Sequence, residues 1–166
     1  MIKTGICGHF GFNHNCLDGQ TIKTKIITRE LQKEFGNNEV KIVDTYGGKK
    51  RVIPIVFNLI KLIMQCKNVI ILPAHNSLRI FAPLLTFVNY FYNRKLHYVV
   101  IGGWLPEFVS IRKWLKNALM NFDAIYVETN TMKNKLEAMG FSNIVLLPNC
   151  KELDIILDNE LVYSKE

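Results

Sequence analysis

The chain has 166 residues and a mass of 19.2 kDa, which is the size of one domain. Its residues are 49% hydrophobic and 21% charged, with 10 Gly and 5 Pro, which argues against a disordered, collagen-like or disulfide-stapled protein. The formal net charge of +7 indicates an acidic partner, and charge alone does not choose between nucleic acid, an anionic membrane surface and phosphorylated ligands.

The first half of the chain alternates short apolar runs with longer helical patterns. A strand is predicted at 3–8, and a helix at 20–35 that stops at Gly36 follows it. Next come a strand at 40–44, a helix at 52–65 and a strand at 68–72. A third helix is predicted at 77–92, and Pro83 is expected to interrupt it or delay its start.

The second half repeats the pattern. A strand at 96–101 is followed by a helix over 111–122 that Ser110 is expected to cap. A strand at 124–127 then leads into a helix that begins at Thr129 or Thr131 and closes at Gly140. The last strand is predicted at 143–147.

This alternation predicts an α/β fold, because parallel strands need helical crossovers between them. The expected architecture is a Rossmann-like, doubly wound parallel sheet with helices on both faces, in a single domain over 1–150. The polar and acidic segment 151–166 is predicted to be an interdomain linker or tail.

The spacing of the cysteines and the hydropathy of the chain both bear on where in the cell the protein is located. The four cysteines include no C-x-x-C pair, so the usual metal-ligand spacing is absent and a reduced, cytoplasmic compartment is indicated. No signal peptide is evident, and no apolar run reaches the roughly 18 residues of a spanning helix. The longest apolar segments, 52–64 and 80–92, are interpreted as buried helices, with a membrane-facing surface as the alternative.

Chemistry is expected at the carboxyl ends of the strands, where open α/β sheets bind ligands. Five loops are predicted to converge there. They contribute Gly8, His9, Gly11 and Phe12 after the first strand, His75 and Asn76 after the third, Gly102, Gly103, Trp104 and Glu107 after the fourth, Glu128 and Thr129 after the fifth, and Asn149 after the sixth.

Each of these loops also has a purely structural interpretation. Gly8 and Gly11 fit a tight turn as well as a close approach to a ligand, and the spacing matches neither G-x-G-x-x-G nor a P-loop. The Gly102-Gly103-Trp104 segment suits an anion beside a stacking face, or a turn with a buried Trp. A bound nucleotide would require an acid at the end of the second strand for its ribose, and Asp44 is the only candidate there.

Two basic clusters stand out. One is Lys25, Arg29 and Lys33 on the first helix, and the other is Arg112, Lys113 and Lys116. Aromatic residues are not interleaved with them, so no nucleic-acid partner is predicted. Peripheral, salt-sensitive binding to an anionic membrane is expected from these clusters. Phe87, Tyr90 and Phe91 are interpreted as core residues.

Several segments resemble a known family. They are GHFGF (8–12), DGQT (18–21), ILPAHN (71–76), VVIGGWLPEF (99–108), YVETNTMKNKLEAMGF (126–141) and LLPNCKEL (146–153). The chain resembles the N-terminal domain of a GT-B glycosyltransferase of the glycosyltransferase family 4 type, most of all the bacterial enzymes of capsular and other surface polysaccharide synthesis.

The resemblance implies two Rossmann-like domains that face a cleft. The N-terminal domain holds the acceptor, a glycan or a lipid-linked sugar, and a C-terminal domain or separate chain holds the nucleotide-sugar donor; no metal or other cofactor is required. It implies a retaining hexosyl transfer at the inner face of the cell membrane, with this chain inactive alone.

The site residues that follow from the resemblance and from the strand ends are these. His75 is predicted to be catalytic. The predicted substrate-binding residues are Gly8, His9, Gly11, Phe12, Gly19, Gln20, Asn76, Gly102, Gly103, Trp104, Glu107, Glu128, Thr129 and Asn149. The chain departs from the family pattern at Gln20, where relatives often have Gly, at Gly103-Trp104, where many have His, and at Cys150 of the P-N-G turn.

Two other functions stay open on the sequence. One is a stand-alone Rossmann domain that binds a nucleotide. The other is a non-catalytic subunit of a split transferase that recruits its partner to the membrane.

Overall fold

Strands and helices alternate throughout the computed structural model, which describes residues 1–12, 18–47 and 51–148. The strands are β1 (Ile2–Gly8), β2 (Val40–Asp44), β3 (Cys66–Leu72), β4 (Lys95–Val99), β5 (Ala124–Val127) and β6 (Ile144–Leu146). The helices are α1 (Gly19–Phe35), α2 (Val52–Gln65), α3 (His75–Tyr92), α4 (Leu105–Ser110), α5 (Lys113–Met120) and α6 (Asn130–Ala138), and a 3-10 turn follows α1 at Asn37–Glu39.

All six strands lie parallel in one sheet, in the order β2-β1-β3-β4-β5-β6. Ile6 of β1 pairs with Ile42 of β2 on one side and with Ile70 of β3 on the other, so β1 is a central strand. The predicted α/β class and Rossmann-like parallel sheet are confirmed.

The two faces of the sheet are covered unequally. The chain moves in one direction from β1 to β2 and in the other direction at each later crossover, so right-handed connections place α1 on one face and α2 to α6 on the other. The larger core lies under the second set of helices and includes Leu59, Leu85 and Leu119. The smaller core lies under α1 and includes Ile6, Phe10 and Val99.

Most predicted boundaries agree with the structure to within two residues, and two predictions about helices are wrong. The third helix neither breaks nor starts late at Pro83, because α3 begins at His75 and continues through the proline to Tyr92. The predicted helix over 111–122 is two helices, and Ser110 ends α4 instead of capping α5. Leu105 and Val109 are fully buried, which gives the preceding segment its own apolar face and makes it helical.

No helix among the described residues is both long and apolar enough to cross a bilayer. The proposed linker or tail at 151–166 lies outside the described residues, as does Asn149.

Candidate active site at the carboxyl edge of the sheet

The loops after β1 and β3 flank the point where the direction of the crossovers reverses. β1 and β3 are neighbours, yet the chain leaves β1 for α1 on one face and β3 for α3 on the other. Doubly wound sheets bind ligands at the carboxyl edge beside such a divergence. The loop from Gly8 to Phe12 comes at the end of one of these two strands, and His75 and Asn76 follow the other.

Asp44, at the end of β2, holds the loop after β1 in place. Its Oδ1 accepts hydrogen bonds from the backbone N–H groups of Phe10 and Tyr46, both at 2.9 Å, and its Oδ2 accepts one from Phe12 at 3.3 Å. Burial of the carboxyl group favours its neutral form, but the backbone N–H groups of Phe10, Tyr46, Phe12 and Gly11 outweigh it and hold the pKa of Asp44 below its ordinary value. The acid that a ribose would require is thus engaged by the loop itself.

We expect Asp44→Asn to lower the free energy of unfolding by about 1–2 kcal/mol at pH 7, because the amide lacks the negative charge that strengthens these hydrogen bonds and its nitrogen cannot accept the one from Phe12. A carboxyl group with a lowered pKa stabilises the fold above its ordinary pKa, and that stabilisation is lost as the pH falls through the folded-state value. Urea denaturation of both proteins from about pH 7 to about pH 2 should therefore show curves that converge below about pH 4. A stability difference that stays constant with pH would contradict this role for the charge.

The start of α1 is fixed by side chains on both sides of it. The Asp18 carboxylate caps the helix and accepts hydrogen bonds from the N–H of Thr21 at 3.0 Å and from its hydroxyl at 2.7 Å. The Gln20 side-chain amide donates to the carbonyl of Leu72 at 2.9 Å, which ties α1 to the end of β3. Gln20 therefore has a structural partner, whereas Gly19 beside it is exposed at the edge.

Gly8 lets α1 pack closely on β1. A Cβ atom at this position would lie 2.7 Å from Cγ2 of Thr24, a fully buried residue of α1. The backbone of β1 therefore approaches the helix too closely for any side chain. The approach to the helix explains this glycine without a ligand.

His75 belongs to an aromatic cluster at the same edge. Its ring stacks on Trp104 with 3.8 Å between centroids, and both rings contact Phe108 edge-on, at 5.4 Å from His75 and 5.2 Å from Trp104. Arg112 closes the far side, with its guanidinium 4.0 Å from the Phe108 ring centroid and an N–H donated to the Phe108 carbonyl. The loops after β3 and β4, predicted separately, thus form one unit.

The Trp104 ring is held by the turn that precedes it. Its indole N–H donates to the carbonyl of Ile101 at 2.9 Å, and Gly102 between them adopts φ +81°, a conformation that favours glycine. Gly103 is exposed, with open space where a side chain would stand. The turn therefore fixes the plane of the indole and leaves the backbone of Gly103 accessible.

Glu128 forms a buried ion pair that sequence reasoning missed. Its Oε1 lies 2.6 Å from the ammonium of Lys23, and the side chains are only 16% and 8% exposed, respectively. Its Oε2 also accepts the N–H of Gly102 at 3.4 Å. Glu128 therefore joins α1, β5 and the turn after β4, and its predicted contact with substrate competes with this role. The one sequence signal was a lysine on the face of α1 that carries the buried Thr24 and Thr28.

The other predicted residues have simpler surroundings. Thr129 caps α6 by accepting the N–H of Met132, as expected. Glu107 and Asn76 are exposed on α4 and α3. The ring of His9 lies 5.4 Å from that of Tyr46, and the half-exposed ring of Phe12 stacks on Phe10 at 5.1 Å.

A concavity lies between α1 and the sheet, apart from the aromatic cluster. It has a volume of about 490 Å³, and its largely apolar walls include Ile27, Leu31, Ile70, Val99, Tyr126 and Leu147. It exists because, within the described residues, α1 is the only helix on that face. Its polar members include Lys23 and His97, and burial lowers the pKa of His97.

Neither a metal site nor a related protein identifies the chemistry. Within residues 1–12, 18–47 and 51–148, no three His, Cys, Asp or Glu side chains are grouped so that they could hold a metal ion. No protein-family model matches the chain, and no curated protein does.

Proposed function

We propose that this chain is the acceptor-side half of a GT-B glycosyltransferase. It would bind a glycan or lipid-linked sugar at the carboxyl edge of the sheet while a second domain or separate chain supplies the nucleotide-sugar. The observation that carries the proposal is the stacked His75–Trp104 pair at the carboxyl edge of the sheet, next to the point between β1 and β3 where the crossovers reverse direction.

The chemistry of this pair suits a sugar. An indole face packs well against the apolar C–H groups of a pyranose, and the imidazole beside it can exchange hydrogen bonds or a proton with a hydroxyl. Asn76 and the backbone of Gly103 are exposed at the same place and add polar groups for further hydroxyls. His75 is assigned the contact with the attacking hydroxyl, and Trp104 the stacking face.

The alternative of a stand-alone nucleotide-binding domain has less support. The loop after β1 lacks the dinucleotide spacing, and the only acid at the end of β2 is bound to that loop. The acceptor-side function needs neither feature.

Ligand titrations can separate the two functions. Trp114→Phe leaves Trp104 as the only tryptophan, so its fluorescence reports on the aromatic cluster. We expect saccharides and lipid-linked saccharides to change this signal, and His75→Ala to weaken their binding by about tenfold (about 1.4 kcal/mol) through the lost hydrogen bond. Lys135→Ala, at an exposed position of α6 outside the cluster and the predicted site, is the control. Binding of NAD or ATP, with no response to any saccharide, would instead support the nucleotide-binding alternative.

Transfer assays test the half-enzyme part of the proposal. Stabilisation of a diphosphate leaving group needs positive charge directed at it, which the proposal assigns to the donor-side half. The purified 166-residue chain is therefore expected to turn over no UDP-sugar or GDP-sugar. Measurable sugar transfer by the chain alone would contradict the assignment.

A further inference from the structure

The outer surfaces of α2 and α3 carry large apolar side chains that face solvent. On α2 these are Ile53 and Phe57, which are 71% and 61% exposed, together with Met64. On α3 they are Phe87, Tyr90 and Phe91, which are 69%, 86% and 69% exposed, and Ile80. The interpretation of Phe87, Tyr90 and Phe91 as core residues is therefore wrong, because the sheet takes the opposite side of the helix.

The exposed residues follow helical spacing, so each helix has two apolar faces. On α2, positions 53, 57, 60 and 64 form one outer stripe, while Leu59 and Leu62 are buried against the sheet. On α3, positions 80, 84, 87 and 91 form the outer stripe, while Leu78 and Leu85 are buried. Spacings of three and four residues align such side chains on one side of a helix.

The two stripes belong to one surface, which we call the α2–α3 surface. Helices α2 and α3 pack against each other on the same face of the sheet. Arg94, just after α3, donates a side-chain hydrogen bond to the carbonyl of Ile63 in α2. At the end of α3, the Phe91 ring contacts Phe87 and Tyr90 edge-on, at 5.9 and 5.4 Å. Several large apolar side chains exposed on two neighbouring helices are typical of an interaction site.

The charged residues on and near α2 and α3 indicate what kind of partner the α2–α3 surface binds. No Asp or Glu occurs anywhere between Asp44 and Glu107, so neither helix contains an acid. Among the described residues of this stretch, the cations are Arg51, Lys61, Lys67, Arg79, Arg94 and Lys95. Lys61 and Arg79 are exposed and adjoin the two stripes in sequence. Aromatic and aliphatic side chains bordered by cations, without acids, are the composition of helices that lie in the interface of an anionic bilayer.

We propose that the α2–α3 surface docks the protein on anionic lipid bilayers. The aromatic and aliphatic side chains of both stripes enter the headgroup region, and Lys61 and Arg79 contact lipid phosphates. The proposal is independent of the proposed transferase function. The proposal places the membrane contact on the α2–α3 surface and not on the basic cluster of α1 that the sequence suggested. In that cluster, Arg29 and Lys33 both pair with Glu30.

Vesicle sedimentation with the 166-residue chain tests this directly. Binding is expected to vesicles of phosphatidylcholine with about 30% phosphatidylglycerol, and it should fall by tenfold or more with phosphatidylcholine alone. Raising the salt from about 0.05 M to about 0.5 M should weaken binding to the anionic vesicles. Equal binding to neutral and anionic vesicles, or none at low salt, would overturn the proposal.

Two pairs of variants identify the surface. Phe87→Ser/Phe91→Ser removes exposed side chains, so the fold should remain and binding should drop at least about tenfold. Ile22→Ser, at an exposed position of α1 on the opposite face, is its control and should bind normally. Lys61→Glu/Arg79→Glu should likewise abolish most binding, whereas Lys25→Glu/Lys33→Glu changes the net charge equally and should have little effect. Equal losses in the two charge pairs would assign binding to net charge and overturn the proposal.

Sedimentation velocity without lipid separates a membrane from a protein partner. The proposal expects the wild type and Phe87→Ser/Phe91→Ser to be in the same oligomeric state. A wild-type dimer that this variant dissociates, together with unchanged vesicle binding, would identify the surface as an interface between copies of the chain. Circular dichroism confirms that each variant is folded before it is scored.

Discussion

Replacing Lys23 by methionine is expected to lower the free energy of unfolding by about 3 kcal/mol, near the lower end of the cost of leaving a buried carboxylate without its partner, because the Glu128 side chain stays 16% exposed. The ammonium of Lys23 lies 2.6 Å from Glu128, and both side chains are largely withdrawn from water. Methionine matches the length of the lysine stem and fills the same space, so the loss reports on charge and not on a cavity. Chemical denaturation monitored by circular dichroism gives the measurement.

Two further variants separate the pair from its surroundings. Lys25→Met makes the same substitution at an exposed position two residues along α1, and its effect should stay within about 0.5 kcal/mol. Lys23→Met/Glu128→Gln removes both charges, so it should be more stable than Lys23→Met alone. If Lys23→Met and Lys25→Met unfold at the same denaturant concentration, the ion pair does not stabilise the fold.

Gly8→Ala is expected to destabilise the protein by about 1–3 kcal/mol through overpacking between β1 and α1. The added methyl group would lie 2.7 Å from Cγ2 of Thr24 and 3.1 Å from its hydroxyl. β1 cannot withdraw, because it is hydrogen-bonded to β2 on one side and β3 on the other. Equilibrium unfolding in urea measures the cost.

The contact can be tested from its other side. Thr24→Ala removes the two atoms closest to the new methyl group, so the Gly8→Ala/Thr24→Ala protein should regain part of the loss relative to additivity. Gly19→Ala is the matched control, because nothing lies within 4 Å of its Cβ position. Its effect should be close to zero or slightly stabilising, since alanine suits a helix better than glycine. A cost at Gly19 equal to that at Gly8 would exclude overpacking as the cause.

The order of elements was predictable because it depends on local patterns. The runs at 40–44 and 124–127 are short and rich in β-branched and aromatic residues, and the structure has strands with those bounds. Gly36 ends α1 and Thr129 caps α6, and both helix ends depend only on three or four neighbouring residues. The convergence of loops at one edge also follows from parallel strands alone.

The rest depends on contacts between distant parts of the chain. Phe87 and Phe91 look like core residues in the sequence, because α3 is apolar on two sides and the sequence does not tell which side packs against the sheet. Glu128 was predicted to contact a ligand because its true partner, Lys23, lies 105 residues earlier, and the sequence gives no sign of a pairing over that separation. The stacking of His75 on Trp104 likewise joins two loops whose separate predictions gave no distance between them.

The same Lys23–Glu128 distance along the chain sets a delay during synthesis. Glu128 lies 105 positions after Lys23, so at about 5–20 residues translated per second the lysine is made roughly 5–20 s before its partner. Burying an unpaired ammonium is costly, so we expect the nascent α1 helix to keep Lys23 in water throughout that interval. The first helix to be made is then expected to be among the last to pack fully on the sheet, which leaves the apolar surface beneath it open to solvent until β5 has been added.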